Sequence, residues 1–411
     1  MIAEKEVILN VDFYDLPYFA YRRGEGSFDE ARIKRMIDRS ADEGVDTIFW
    51  RVTAHGTVTC HSKVATVFTG DPRRPSRAVA EALKNFDPLR VGIEHTRRRG
   101  LRVYAWMSLY NECSWMGMES EFGRQHPEYY WVSRDGNHYL RGILCYAYPE
   151  VREYKLSIVR ELAEYDLDGL YFSLRNYGAT PTPFHKQENM FGFNRPIVEE
   201  YKRRYGVDIT EFDDVECLTD RDGHIEGIIY KGGALDVERW HRLKGEYLTL
   251  FLEEAKEVLR EKNLKLILDI RRWDSFTNRT IEGINAAAQL HLNWPKWVQD
   301  GTIDGLVVIP RPPIEAQKQL LSEETIETEF SPYRRQMGKC RLYAFQSLLY
   351  YQMGLAETAA FVKGMRRKPV DGYSFIGPIV ERVAANDPNG LLDGIVFHEA
   401  AAFEFPMYEE D

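Results

Sequence analysis

The sequence predicts an α/β protein, a single (β/α)8 barrel of the TIM type with a long insertion after its fourth strand. Short β-rich runs alternate along the chain with longer segments of helical period, the pattern of parallel strands joined by crossover helices. Eight such units can be counted, which suits closure into a barrel better than an open doubly wound sheet. Periodicity alone leaves closure open. The third observation is a stretch, residues 175–237, too long for an ordinary strand-to-helix connection, and insertions of that kind decorate the catalytic face of barrels.

In chain order the expected strands are 7–13, 46–52, 101–107, 168–174, 264–270, 304–310, 341–347 and 371–377. Helical period falls between them at 28–44, 87–100, 149–165, 237–263 and 359–368. Gly44 and Gly100 stand where helix-ending glycines belong. The insertion holds a short helix, PIVEEYKRRYG, and a hairpin turning at Asp222-Gly223. The 411 residues read as one elaborated domain, 1–411.

Composition narrows the function. With 44% hydrophobic and 29% charged residues the chain can bury a large core. A net charge of −10 with scattered basic residues argues against a nucleic-acid partner. Cys60, Cys113, Cys145, Cys217 and Cys340 are odd in number and lack a CxxC pair, so reduced buried thiols are expected rather than disulfides or a thiolate zinc site. No run approaches the roughly 18 to 20 apolar residues of a membrane span, and the first residues lack the order of a secretion signal. The expectation is a cytoplasmic protein without a membrane partner, or a periplasmic or secreted one if a leader precedes the sequence.

Parallel barrel strands are buried on both faces, so a polar residue inside one needs a reason. On the first strand Leu9, Val11 and Phe13 oppose Asn10, Asp12 and Tyr14; on the fourth, Leu170, Phe172 and Leu174 oppose Tyr171, Ser173 and Arg175; on the fifth, Leu266, Leu268 and Ile270 oppose Ile267, Asp269 and Arg271. The polar rows are expected to face the barrel mouth, where barrel enzymes place their chemistry. The structural alternative is that Asp12 or Asp269 braces a neighbouring arginine. Glu112 in the loop after the third strand and Glu399 near the terminus join Asp269 as candidate catalytic carboxyls. The expected substrate-binding set is Asp12, Arg51, His55, Trp106, Arg175, Arg271, Trp273 and Gln346.

Arginines recur at the strand ends, and a guanidinium offers paired donors to carboxylate, sulfate or phosphate, which suggests an acidic glycan. If they pair with wall carboxylates instead, the substrate is neutral. Aromatic residues make up 13% of the chain and crowd the expected loops at Tyr110, Trp115, Tyr129, Tyr130, Trp131, Trp273, Trp294 and Trp297. Such rings can stack on pyranose faces or simply pack. His55, His61 and His398 have no ligand spacing, so no metal and no cofactor is expected.

The stretch from His126 to Tyr177, HPEYYWVSRDGNHYLRGILCYAYPEVREYKLSIVRELAEYDLDGLYFSLRNY, resembles the middle of the family-10-like glycosyl hydrolases. That family runs from an HPEW-type loop through a PEVR helix to a strand of the form YDVDGIHFDYIRY. YKRRYGVDITEF and VERWHRLKGEYLTLFLEEAKEVLRE are similar to the FKERYG and W-R-R-R helix that follow. The likeness covers about a third of the chain well and the rest in strand order. It implies a barrel glycoside hydrolase acting on an oligo- or polysaccharide. One departure matters: the aspartate that the family carries at the end of that strand falls on Ser173, and its arginine on Arg175. A serine cannot replace a carboxylate nucleophile at a sugar carbon. Either catalysis rests on Glu112, Asp269 or Glu399, or this branch is a polysaccharide lyase or another sugar-acid enzyme using His55 or a tyrosine as base, or a non-catalytic glycan-binding barrel.

Overall fold

Eight parallel strands close into a ring in the computed structural model: β1 (Glu6–Val11), β2 (Thr47–Arg51), β3 (Arg102–Ser108), β4 (Gly169–Ser173), β5 (Lys265–Arg271), β6 (Gly305–Ile309), β7 (Arg341–Ser347) and β8 (Gly394–His398). Each pairs with its sequence neighbours, and β1 also pairs with β8 through Glu6–Gly394 to Leu9–Phe397. The structure describes residues 5–22, 24–70, 75–113, 118–174, 191–211, 215–219, 225–230, 235–271, 290–310, 318–348 and 376–398, with backbone alone for 215–219, 225–230 and 271. A crossover helix lies between each successive pair of strands: α1 (Glu30–Asp42), α2 (Pro88–Arg98), α3 (Pro149–Leu162), α4 (Val237–Glu261), α5 (Trp294–Gln299), α6 (Glu323–Arg334) and α7 (Ile376–Ala385). None of the described helices is long and apolar enough to cross a membrane.

The helices begin where the sequence supplies caps. Asp29 accepts from the Arg32 N–H, Asp87 from the Leu89 N–H ahead of Pro88, and Asp236 from the Arg239 N–H. The insertion after β4 carries the expected helix, at Arg195–Tyr205, and an antiparallel hairpin, Val215–Thr219 with Ile225–Tyr230.

Closure is organised at the amino ends of the strands by four aspartates. Asp46, Asp168, Asp304 and Asp393 stand immediately before β2, β4, β6 and β8, and their carboxylates accept the N–H groups of Val7, Val103, Leu266 and Leu342 at 2.7–2.8 Å. Each aspartate returns its own N–H to the carbonyl of that same residue. Its carbonyl accepts an N–H from the strand on the other side, from Arg102, Lys265, Arg341 and Glu6 in turn. One residue therefore ties three strands. Glycine follows three of the four: a Cβ on Gly169 would lie 2.7 Å from the Tyr104 ring and one on Gly305 2.9 Å from the Tyr343 ring.

The eighth strand differs from expectation. Residues 371–375 lie outside the described residues, Ile376 and Gly377 begin α7, and the strand that closes the barrel is Gly394–His398. DGYSFI at 371–376 and DGIVFH at 393–398 carry the same Asp-Gly-apolar signature, and it is Asp393 that makes the clamp. The expected helix at 359–368 also lies outside the described residues.

Two layers of core follow from the strand period. Ile8, Phe49, Tyr104, Trp106, Tyr171, Ile267, Val307, Tyr343, Phe345 and Val396 fill the barrel interior, and the alternate row packs against the helices. Trp294 and Trp297 belong to that outer core: Trp294 packs on Tyr333 and the Trp297 indole donates to Thr249 at 2.9 Å. Tyr130 and Trp131 are buried too, the latter donating to the Leu144 carbonyl. These rings are framework rather than a sugar-stacking surface, while Trp115 and Trp273 lie outside the described residues. Cys60, Cys145 and Cys340 are free and buried, and Cys113 is buried.

Replacing Asp168 or Asp393 by Ala should each cost about 1–3 kcal/mol in urea unfolding, because strand N–H groups lose their acceptor. Losses below about 0.5 kcal/mol, the range of an ordinary surface change, would show that the clamp is dispensable.

Candidate active site at the carboxyl ends of the strands

The inward row of each strand delivers its last members to one end of the barrel. Because Ile8 is interior, Asn10 and then Asp12 follow on the same face; the other strands bring Arg51, Trp106 with Ser108, Ser173, Asp269 and His398. All are buried. Gln346 is the exception among the expected binding residues: it registers with Phe397 on the row that faces the helices, and its amide donates to the Ser347 carbonyl. Its strand reads RLYAFQS with Tyr343 and Phe345 interior, so alternation turns Gln346 away from the mouth.

Three buried carboxylates near this end have different partners. Asp12 is ion-paired with the Arg51 guanidinium and accepts the Tyr14 N–H at 3.2 Å. Arg51 also donates from Nε to the Thr53 carbonyl and lies 5.1 Å above the Trp106 ring. Its charge is therefore already compensated, as in the structural alternative for Asp12. Glu112 is ion-paired with buried Lys155 of α3 and lies close to Tyr154, which places its carboxylate against the helix layer. Asp269 accepts the Tyr171 hydroxyl at 2.8 Å and the Leu174 N–H at 2.9 Å, and no cation pairs with it among the described residues. Glu112 and Asp269 are thus not brought together by any shared partner.

A tight hairpin after β2, Thr53–Ala54 with Thr57–Val58, carries His55 to the same end. His55 has φ 54°, a left-handed backbone rare for a side chain other than glycine. The following Gly56 is obligatory, since a Cβ there would lie 2.0 Å from the Glu112 carbonyl oxygen. The His55 ring meets Tyr14 edge-on at 5.7 Å and its Nδ1 is buried without a partner. With its amide oxygen turned toward them, Asn111 accepts from Arg51 Nη2 at 3.2 Å and from the His55 N–H at 3.3 Å. Burial first, and then the nearby Arg51 charge, hold the imidazole down to about 4 against a weaker pull from Asp12, so it is neutral near pH 7.

The displaced eighth strand conceals that His398 faces inward. This residue ends β8 with its ring 5.5 Å from Trp106 and 5.4 Å from Phe345. Glu399 directly follows the strand in the chain, but it lies outside the described residues, as do Arg175 and Trp273. Arg271 closes β5 opposite Ile309, its side chain undescribed. Among the described residues no three His, Cys, Asp or Glu side chains are grouped as a metal ion would require. A separate surface cleft of about 760 Å³ lies on the barrel's flank between α2 and α3, with Asp87, Arg90, Glu161 and Tyr165 in its walls.

The model of the glycosyl hydrolase-like 10 family matches residues 7–319. The chain belongs to that family. Among curated relatives, Glycosyl hydrolase DigH of Escherichia coli strain K12 is 26% identical over 160 residues, 35% of this chain and 34% of the relative. The match thus spans about a third of that relative's length. The PgaB (BpsB) glycoside hydrolase domain from Bordetella bronchiseptica has the same fold at TM-score 0.57 and 13% identity, covering 99% of both chains. The catalytic domain of β-amylase from Paenibacillus polymyxa follows at TM-score 0.52 and 10% identity, covering 97% of this chain and 93% of that one. A carbohydrate-active barrel is the class these findings support.

His55 sets a pH dependence of stability. Its pKa falls from about 6.5 unfolded to about 4 folded, so between these values the unfolded chain binds a proton that the folded one does not. Its contribution is whole above about 6.5 and declines as the pH falls toward 4. In His55→Gln the melting temperature relative to the native protein should rise progressively over that window. A difference that stays constant with pH would contradict the neutral buried imidazole.

Proposed function

We propose that the barrel hydrolyses a glycosidic bond in an oligo- or polysaccharide, with Asp269 as one of two catalytic carboxyl groups. The observation that carries this reading is the charge balance at the mouth. Asp12 is answered by Arg51 and Glu112 by Lys155, whereas among the described residues Asp269 is held by the Tyr171 hydroxyl and the Leu174 N–H with no cation beside it. A carboxylate fixed in direction but not neutralised is suited to act as base, nucleophile or, once protonated, general acid. Glu399, one residue beyond inward-facing His398, is our choice for the second carboxyl. Glu112, committed to Lys155, serves in the wall.

We assign recognition of acidic groups to Arg175, which follows Leu174 in the chain, and Arg271, the last residue of β5, since Arg51 is spoken for by Asp12. A second reading is favoured by Ser173, which sits inward at the end of β4 beside Ser108 where the family resemblance places an aspartate. It makes the protein a glycan-binding barrel without turnover.

A screen of neutral and acidic oligosaccharides for new reducing ends separates the two readings. Asp269→Asn should lower kcat by about 10²–10⁴ while the protein stays folded, the size expected for loss of an acid or base. Near-native turnover in folded Asp269→Asn would remove it from the mechanism. Binding of an acidic oligosaccharide should weaken as salt rises and fall in Arg271→Lys, which keeps the charge but loses the paired donors. Salt-independent binding would return Arg271 to the wall.

A further inference from the structure

We infer that the floor of the barrel mouth, formed by Asn10, Trp106 and Ser108 around His398, is a subsite for uncharged hydroxyl groups of the ligand. The inference rests on the carbohydrate reading above and adds which part of the ligand enters the barrel first. Both amide atoms of Asn10, the indole N–H of Trp106 and the hydroxyl of Ser108 are buried without a hydrogen-bond partner. Relative exposures are 1%, 0% and 0%. Leaving such a group unpaired inside a fold is costly, and native interiors leave few of them. Others, such as the Trp50 indole N–H and the Thr96 hydroxyl, are scattered through the helix layer, but these three side chains stand close together. Trp106 touches the His398 ring at 5.5 Å, and Asn10 stands one residue beyond the Leu9–Phe397 pair, beside His398. Ser108 is the next inward residue after Trp106 on β3.

The chemistry of the set selects its ligand. Asn10 offers a donor and an acceptor, Trp106 a donor and Ser108 either, which is the complement of hydroxyls that give and take hydrogen bonds at once. Charge argues against an anion at this depth. The cation close to Trp106 is Arg51, compensated by Asp12, and Tyr171, 5.8 Å from the Trp106 ring, carries the Asp269 carboxylate on its hydroxyl. A ligand carboxylate entering here would meet a like charge, and among the described residues the one guanidinium close to Trp106 is already paired with Asp12. The neutral His55 ring on the hairpin above is consistent with the same choice.

Two measurements test the subsite without requiring turnover. In the sugar-free protein, Asn10→Leu keeps the branched shape and Ser108→Ala removes one atom, both eliminating unpaired buried polar atoms, and each should raise the melting temperature by a few degrees. A lower melting temperature in either variant would mean that these groups are satisfied and structural, and would overturn the proposal. In protein labelled with 15N-tryptophan, the Trp106 indole signal, assigned by its loss in Trp106→Phe, should shift with D-glucose, shift much less with D-glucuronate at equal concentration, and not respond in Asn10→Leu. A signal unmoved by glucose, or moved equally by glucuronate, would also overturn it. If the oligosaccharide screen yields no product while the Trp106 signal still responds to glucose, hydrolysis fails and the subsite stands.

Discussion

Register in a closed sheet is an all-or-none constraint, and in this barrel it is set by Asp46, Asp168, Asp304 and Asp393. Each binds the N–H and carbonyl of one residue on the preceding strand and the first N–H of the following strand. A slip of one residue in any pair would send an inward row to the helices. Asp269 would then leave the interior and Leu268 would take its place. The clamps are at the amino ends and the candidate chemistry at the carboxyl ends, the usual separation of stability from function in this architecture.

Charge placement follows the same economy. The amino end holds Glu6, buried and surrounded by Arg102, Arg341, the Thr47 hydroxyl and the Tyr343 hydroxyl, a satisfied ionic knot. At the other end Asp12 and Glu112 are similarly answered, and removing either partner would strand a buried charge. Among the described residues Asp269 is the departure from that rule. Polar groups in the same region, Asn10, Trp106 and Ser108, depart from the parallel rule that buried polar atoms find partners. Local rules fail together where a site must remain open to a ligand.

Much of this was legible in the sequence. The alternation of apolar and polar positions placed Asp12, Asp269, Tyr171 and Ser173 on the inner face, because a period of two leaves no other choice once the strand is known. The same logic failed where the strand was misplaced: two Asp-Gly-apolar segments compete near the carboxyl terminus, and only the clamp made by Asp393 distinguishes them. Its cost was His398, unreadable as an inward residue until β8 was located. Which carboxylates are neutralised was not legible either. Lys155 is forty-three residues from Glu112 and Arg51 thirty-nine from Asp12, separations that only the folded chain brings to contact. Loop aromatics were ambiguous between stacking and packing for a related reason, and Trp294 and Trp297 pack: they fall on a short helix whose rings fill the outer core.

A crystal structure with a cleaved oligosaccharide bound tests the central claim most directly, that chemistry takes place at Asp269 inside the strand ends. The account predicts a sugar whose anomeric carbon lies against the Asp269 carboxylate, with its ring hydroxyls on Asn10 and Trp106. A ligand seated instead in the flank cleft by Asp87 and Glu161, with Asp269 still bound only by Tyr171 and Leu174, would contradict it.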